Sequence, residues 1–169
     1  QADSAGRRRA LWLRWRLVPA PRVEAIGRRL GPLTRGHRLL GLATVGVAGY
    51  ASALLASPAP AVDAAGGGPF AAGLAAGHPA GVAAGLVAGL AITVFLATAL
   101  WHELGHAAAL AAEGLPPGAI GIGVLFVVPV LYADVSAAAL LGRSGRLRVD
   151  GAGVCFQIAA GGLACAAGR

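Results

Sequence analysis

Hydrophobic positions fall in long runs separated by short stretches dense in proline, glycine or arginine. Leu39 to Ser57 is nineteen residues without a charge, and at about 1.5 Å per residue it is long enough to cross a hydrocarbon core of about 30 Å. A loop of helix breakers follows, with Pro58, Pro60, Asp63, Gly66 to Gly68 and Pro69. Phe70 to Pro79 continues it as an Ala/Gly-rich linker, where His78 reads as a solvated loop histidine. From Gly81 to Ala112 no proline interrupts the chain, which predicts a second membrane helix. Gly81, Gly85 and Gly89 recur every four residues on it, a spacing that lets two membrane helices approach closely. Residues 151–168 form a third apolar run of spanning length. Ile120 to Leu131 is different: β-branched residues alternate, glycines are paired and Pro129 interrupts, so a re-entrant β-hairpin over about 118–134 is expected. Backbone of that kind is tolerated at membrane depth only against protein or beside a wet cavity. Its edge would also accept an extended peptide as an added strand.

Composition agrees with the pattern. Hydrophobic residues make up 57% and charged residues 12%, and the mean hydropathy is +0.71, too apolar for an ordinary soluble domain. The expected fold is therefore an all-α polytopic membrane protein with at least three transmembrane helices and a short re-entrant β element. The membrane domain is expected to occupy residues 39–169. The net charge of +7 comes from arginine alone, ten of the fourteen lying before residue 39. Residues 1–38 form a basic, cytoplasmic or interfacial segment, in which Trp12 and Trp15 interleave with Arg14 and Arg16 as suits anionic headgroups. A nucleic-acid role is not expected, because a span follows at once and no stacking module is visible. Nor does the segment resemble a signal peptide, having no small-residue cleavage site. With a re-entrant hairpin rather than an extra span, Arg143, Arg146 and Arg148 share the side of the basic amino terminus, as the positive-inside rule requires. An integral protein of the plasma membrane with a cytoplasmic amino terminus is expected. The absence of Met and the start at Gln1 suggest a piece of a longer chain.

Candidate chemistry sits in the second apolar run, at Trp101-His102-Glu103-Leu104-Gly105-His106. On a helix, residues four apart share a face, so His102 and His106 can present two imidazoles to one ion with Glu103 beside them. Zinc suits two neutral imidazoles, and a carboxylate next to an open coordination position suits amide hydrolysis. The plain alternatives are a satisfied histidine pair and a structural metal site. Ionisable groups inside lipid are costly and usually functional, which favours the catalytic reading. Six apolar residues follow before Glu113, setting the histidines roughly 10–16 Å along the helix from the first flanking charge. A site buried within the bilayer is therefore expected.

The run ALWHELGHAAALAAEGLPPGAIGIG resembles the site-2 proteases, intramembrane zinc metalloproteases that carry H-E-x-x-H on a membrane helix. Val128 to Ser136, the basic residues after it and Asp150 to Gln157 look most like the branch of peptide zinc metalloproteases. The resemblance covers about residues 85 to 168. It implies His102 and His106 as zinc ligands and Glu103 as the general base that activates water. Members usually carry A-G-P-x-x-N on the next helix. Here Ala152-Gly153-Val154-Cys155-Phe156-Gln157 has Val for Pro and Gln for Asn, leaving Gln157 as the candidate substrate-orienting residue. The family's third ligand is an aspartate in a later D-G motif, expected beyond Arg169.

Asp134 is the alternative third ligand within this chain, set against a loop-capping or helix-starting role before Val135. Glu113 and Asp150 read as helix-boundary residues. Cys155 and Cys165 are ten apart on one helix, about 15 Å along its axis, so they are expected as free thiols packed like small apolar side chains.

Together these features predict a zinc-dependent intramembrane endopeptidase acting on membrane-embedded or membrane-delivered peptides. The alternative is a non-enzymatic membrane component of a peptide export or transport system. A metal transporter is disfavoured, since it would want ligands on several spans.

Overall fold

The computed structural model describes residues 11–56, 78–125 and 128–167. The described chain is mostly helical. Its elements run β1 (Leu11–Val18), α1 (Ala20–Leu30), a 3-10 turn at Gly31–Thr34, α2 (His37–Ala56), α3 (His78–Ala112), β2 (Ile120–Leu125), β3 (Val128–Ala133), a 3-10 turn at Ser136–Leu140 and α4 (Arg143–Ala167). Within α2, α3 and α4 lie three stretches long and apolar enough to cross a membrane, at His37–Ala56, Ala88–Ala112 and Arg143–Ala167.

Close approach of backbones holds the bundle together. Where α3 crosses α4, a Cβ added at Gly105 would come within 2.7 Å of the Ala152 carbonyl oxygen and 3.0 Å of Gly153 Cα. The absent side chain is thus what lets these two helices touch. Trp101 braces the same crossing against Phe156, ring centroids 5.4 Å apart. Leu39, Ala108, Ala109, Leu110, Val149, Ala152 and Phe156 form the main core where α2, α3 and α4 meet. A second cluster joins Val23 of α1, Ala107 of α3 and Ile120 of β2. Gly85 and Gly89 are exposed and meet no neighbour, so the expected every-fourth-glycine contact is not made by them among the described residues.

α3 ends at its own stop signals. Gly114 has φ +81°, Leu115 returns its N–H to the Leu110 carbonyl at 3.2 Å, and Pro116 and Pro117 cannot continue the helix. The last turns of α3 are sheathed by protein, with Ala107 to Leu110 at most 2% exposed. Among the described side chains before Thr98 the helix presents apolar residues outward, Leu86, Leu90 and Phe95 each being more than 60% exposed.

Several expectations are corrected. The fold is not purely helical apart from a hairpin, because residues 11–18 form a third strand. The sheet order is β1-β2-β3, with Arg14 opposite Gly123, Trp15 opposite Ile122 and Arg16 opposite Gly121. Residues 20–30 then form an amphipathic helix, whose Val23 and Gly27 are buried against α3 while Arg22, Arg28 and Arg29 are exposed. The described part of the basic segment, residues 11–38, packs with the rest of the fold, and residues 1–10 lie outside the described residues. His78 is the first residue of α3, not a loop residue. α4 begins at Arg143, eight positions before the expected 151. Its buried residues Gly145, Val149, Ala152, Gly153 and Phe156 continue one helical face into the polar stretch. Asp150 accordingly lies inside the helix and exposed, whereas Glu113 does close α3. Cys155 and Cys165 are free, but Cys165 is exposed rather than packed.

Candidate metal centre

His102 and His106 lie one turn apart on α3 and face α4, their Nε2 atoms 3.0 Å from each other. Each ring is fixed from behind. His106 Nδ1 donates to the Val149 carbonyl at 2.6 Å, and a carbonyl only accepts, so the proton is on Nδ1 and Nε2 carries a lone pair. His102 Nδ1 meets Gln157 Oε1 at 3.1 Å, and in the neutral tautomer that donates to this amide oxygen its Nε2 is bare as well. Two lone pairs directed at each other across 3.0 Å repel unless a cation, a proton or a metal ion, lies between them.

The donor set fits zinc. Two imidazole nitrogens at Zn–N distances of about 2.05 Å and a tetrahedral angle are about 3.3 Å apart, a few tenths of an ångström from the observed spacing. Gly153 provides the room, since a Cβ there would overlap His106 Nε2 and come within 2.8 Å of His102 Nε2. The contacts behind the rings resemble those of metal-ligating histidines, in which the far ring nitrogen is held by a carbonyl or amide oxygen. No group of three or more His, Cys, Asp or Glu side chains able to hold an ion occurs among the described residues. The described chain thus brings together two candidate donors, one fewer than the three protein ligands usual for catalytic zinc.

Glu103 sits on the next position of the helix, half-buried. Its Oε2 accepts the Ala133 N–H at 2.6 Å, which ties the carboxylate to the end of β3 and leaves Oε1 for another partner. Since Ala133 turns its N–H away from β2, strand alternation turns the N–H and C=O of Leu131 the same way. An open cleft of about 450 Å³ lies between this strand and α3. Phe95, Leu96, Ala99, Ile122 and Leu131 line it with apolar surface, and His102, Glu103 and Gln157 supply its polar groups.

Asp134 does not join the pair. Its Oδ1 accepts the Ser136 hydroxyl at 2.8 Å and the Ser136 N–H at 3.2 Å, a local turn just ahead of the 3-10 segment, whose N-cap is Val135. It lines a different pocket. Gln157 lies at the site, engaged with His102. α1 packs Gly27 against Ala107 and Ala111, so its charged outer face also runs beside α3 just past His106. Distance along the sequence to Glu113 overstates how far the histidines lie from charge.

Three groups that complete the site were not foreseen. Val149 and Ala133 act through backbone atoms, which leave no mark in residue type. Gly153 lies in the Ala-Gly run already singled out, but its role becomes visible only when the two helices are brought together. Comparisons with family models, curated proteins and solved structures give no match.

Proposed function

We propose that this chain is the catalytic part of a zinc-dependent intramembrane endopeptidase of the site-2 protease type. The observation that carries the reading is the pair of bare Nε2 atoms, each oriented through its own Nδ1, with Glu103 beside them at the end of an apolar cleft. Three helices of spanning composition support placement in a membrane. Arg35, within 3.5 Å of the Ala112 carbonyl, and Arg148, paired with Glu113, gather at one end of α3. The positive-inside rule puts that end in the cytoplasm.

Zinc held by His102 and His106 supplies the Lewis acidity that makes water a nucleophile at neutral pH. The chain's own groups do the rest. Val149 and Gln157 keep both Nδ1 atoms protonated, so both Nε2 atoms remain available. Glu103, anchored through Oε2 by Ala133, accepts the water's proton at Oε1 and can return it to the departing amine nitrogen. A peptide extended along β3 pairs with the Leu131 backbone, which brings a carbonyl to the cleft's polar end. Ile122, Leu131 and Phe95 keep bulk water out.

Cleavage of a model transmembrane peptide, comparing wild type with Glu103→Gln, tests the reading. Loss of at least a hundredfold in rate with zinc retained supports it. Equal rates in the two proteins would remove Glu103 from the chemistry. Zinc binding with no cleavage by either protein would favour the transport-component alternative.

A further inference from the structure

On the sheet face away from the cleft, Arg14, Arg16, Tyr132 and Asp134 line a second pocket of about 540 Å³, closed at one side by Pro19 and Ala20 at the start of α1. Alternation along β1 puts Arg14 and Arg16 on one face. Their cross-strand partners are Gly123 and Gly121, which leave that face flat. A Cβ at Gly121 would come within 2.7 Å of the Tyr132 hydroxyl, so the tyrosine ring lies over this glycine. The Arg14 guanidinium stacks 4.6 Å from the ring centroid. Neither arginine is ion-paired in the described structure, where the two ion pairs are Arg28–Glu24 and Arg148–Glu113. Asp134, the acid in the lining, already has Oδ1 occupied by Ser136. Two guanidiniums against one engaged carboxylate, beside the positive end of an eleven-residue helix, make a receptor for an anion.

The same strand indicates where that anion resides. Trp15 and Leu17 are interleaved with the arginines, and they remain 56% and 55% exposed. Phe95 of α3, which lines the cleft on the opposite face of the sheet, the face toward which alternation turns Trp15, is 64% exposed. Cationic and aromatic side chains alternating beside a bare apolar helix match the boundary between headgroups and hydrocarbon. We propose that Arg14 and Arg16, with Tyr132 as their platform, bind the phosphate of an anionic phospholipid headgroup and fix the sheet at the membrane surface. This site is separate from the histidine pair and does not depend on a metal there.

The full chain in neutral detergent is titrated with dioctanoyl phosphatidylglycerol, dioctanoyl phosphatidylcholine and inorganic phosphate, with binding followed by tryptophan fluorescence. Phosphatidylglycerol should bind at least about tenfold tighter than the other two. Arg14→Gln with Arg16→Gln should lose about tenfold or more, whereas Arg28→Gln with Arg29→Gln, an equal change of charge on α1, should lose less than about twofold. Asp134→Asn keeps an acceptor for Ser136 but removes the opposing charge, and should tighten binding severalfold. Equal losses in the two arginine pairs would reduce the site to diffuse basic attraction and overturn the proposal. So would inorganic phosphate binding as tightly as phosphatidylglycerol, equal affinity for the two lipids, or weaker binding by Asp134→Asn.

Discussion

Gln157 and His102 are 55 positions apart and meet at 3.1 Å, amide oxygen to Nδ1. Under the proposed function this contact makes the glutamine an orienting group for a metal ligand. Gln157→Leu should weaken zinc binding by about 10- to 100-fold, the usual cost of removing such a partner. Gln157→Glu, which keeps an acceptor, should retain most of it. Competition with a fluorescent zinc chelator measures both, and unchanged affinity in the leucine variant would show that the contact has no part in holding metal.

Gly153→Ala is expected to be more disruptive than its single methyl suggests. The added Cβ enters the space between the two Nε2 atoms, so zinc binding and hydrolysis should both be lost. Stability should fall by about 1–3 kcal/mol through overpacking at the α3–α4 crossing. Zinc content and a thermal melt separate the two effects. A variant that keeps full zinc occupancy would show that the metal does not lie there.

Much of the fold is legible in the sequence because its signals are local. The expected spans 39–57 and 81–112 are close to the observed 37–56 and 78–112, since a long uncharged run has few other ways to satisfy its backbone. The hairpin over 118–134 is read from alternation and paired glycines and found at 120–133. Strand β1 was missed for a physical reason. Its partner, β2, is more than a hundred residues away, and Leu-Arg-Trp-Arg-Leu suits an interfacial segment as well as an edge strand. The start of α4 was missed because hydropathy marks where a helix becomes apolar, not where it begins. In this helix Gly145 and Val149 already carry the buried face through a polar stretch. The histidine pair was legible from its spacing of four. The groups that aim it, the Val149 carbonyl and Ala133 N–H, come from backbone placed by tertiary contacts.

Asp134 separates a local loop role from ligation. Asp134→Ala should leave zinc content unchanged and lower stability by about 0.5–1.5 kcal/mol, the net worth of a typical intramolecular hydrogen bond. A loss of bound zinc in this variant would return Asp134 to the ligand set.

Arg148 meets Glu113 through both Nε and Nη2 at 2.7 Å, next to the Val149 carbonyl that holds His106. The pair is partly exposed, with side chains 46% and 23% accessible. Arg148→Met should therefore cost no more than about 1 kcal/mol of stability. An effect on zinc affinity much larger than the stability change would assign the ion pair a role in positioning Val149.

The metal content of the purified full chain tests the central claim most directly, with wild type compared with His102→Ala, His106→Ala and Glu103→Gln after equilibration with zinc and removal of excess. The account predicts close to one zinc per chain in wild type and in Glu103→Gln, and almost none in either histidine variant. Wild-type protein without zinc, or histidine variants that keep it, would contradict the assignment of this pair as a metal centre.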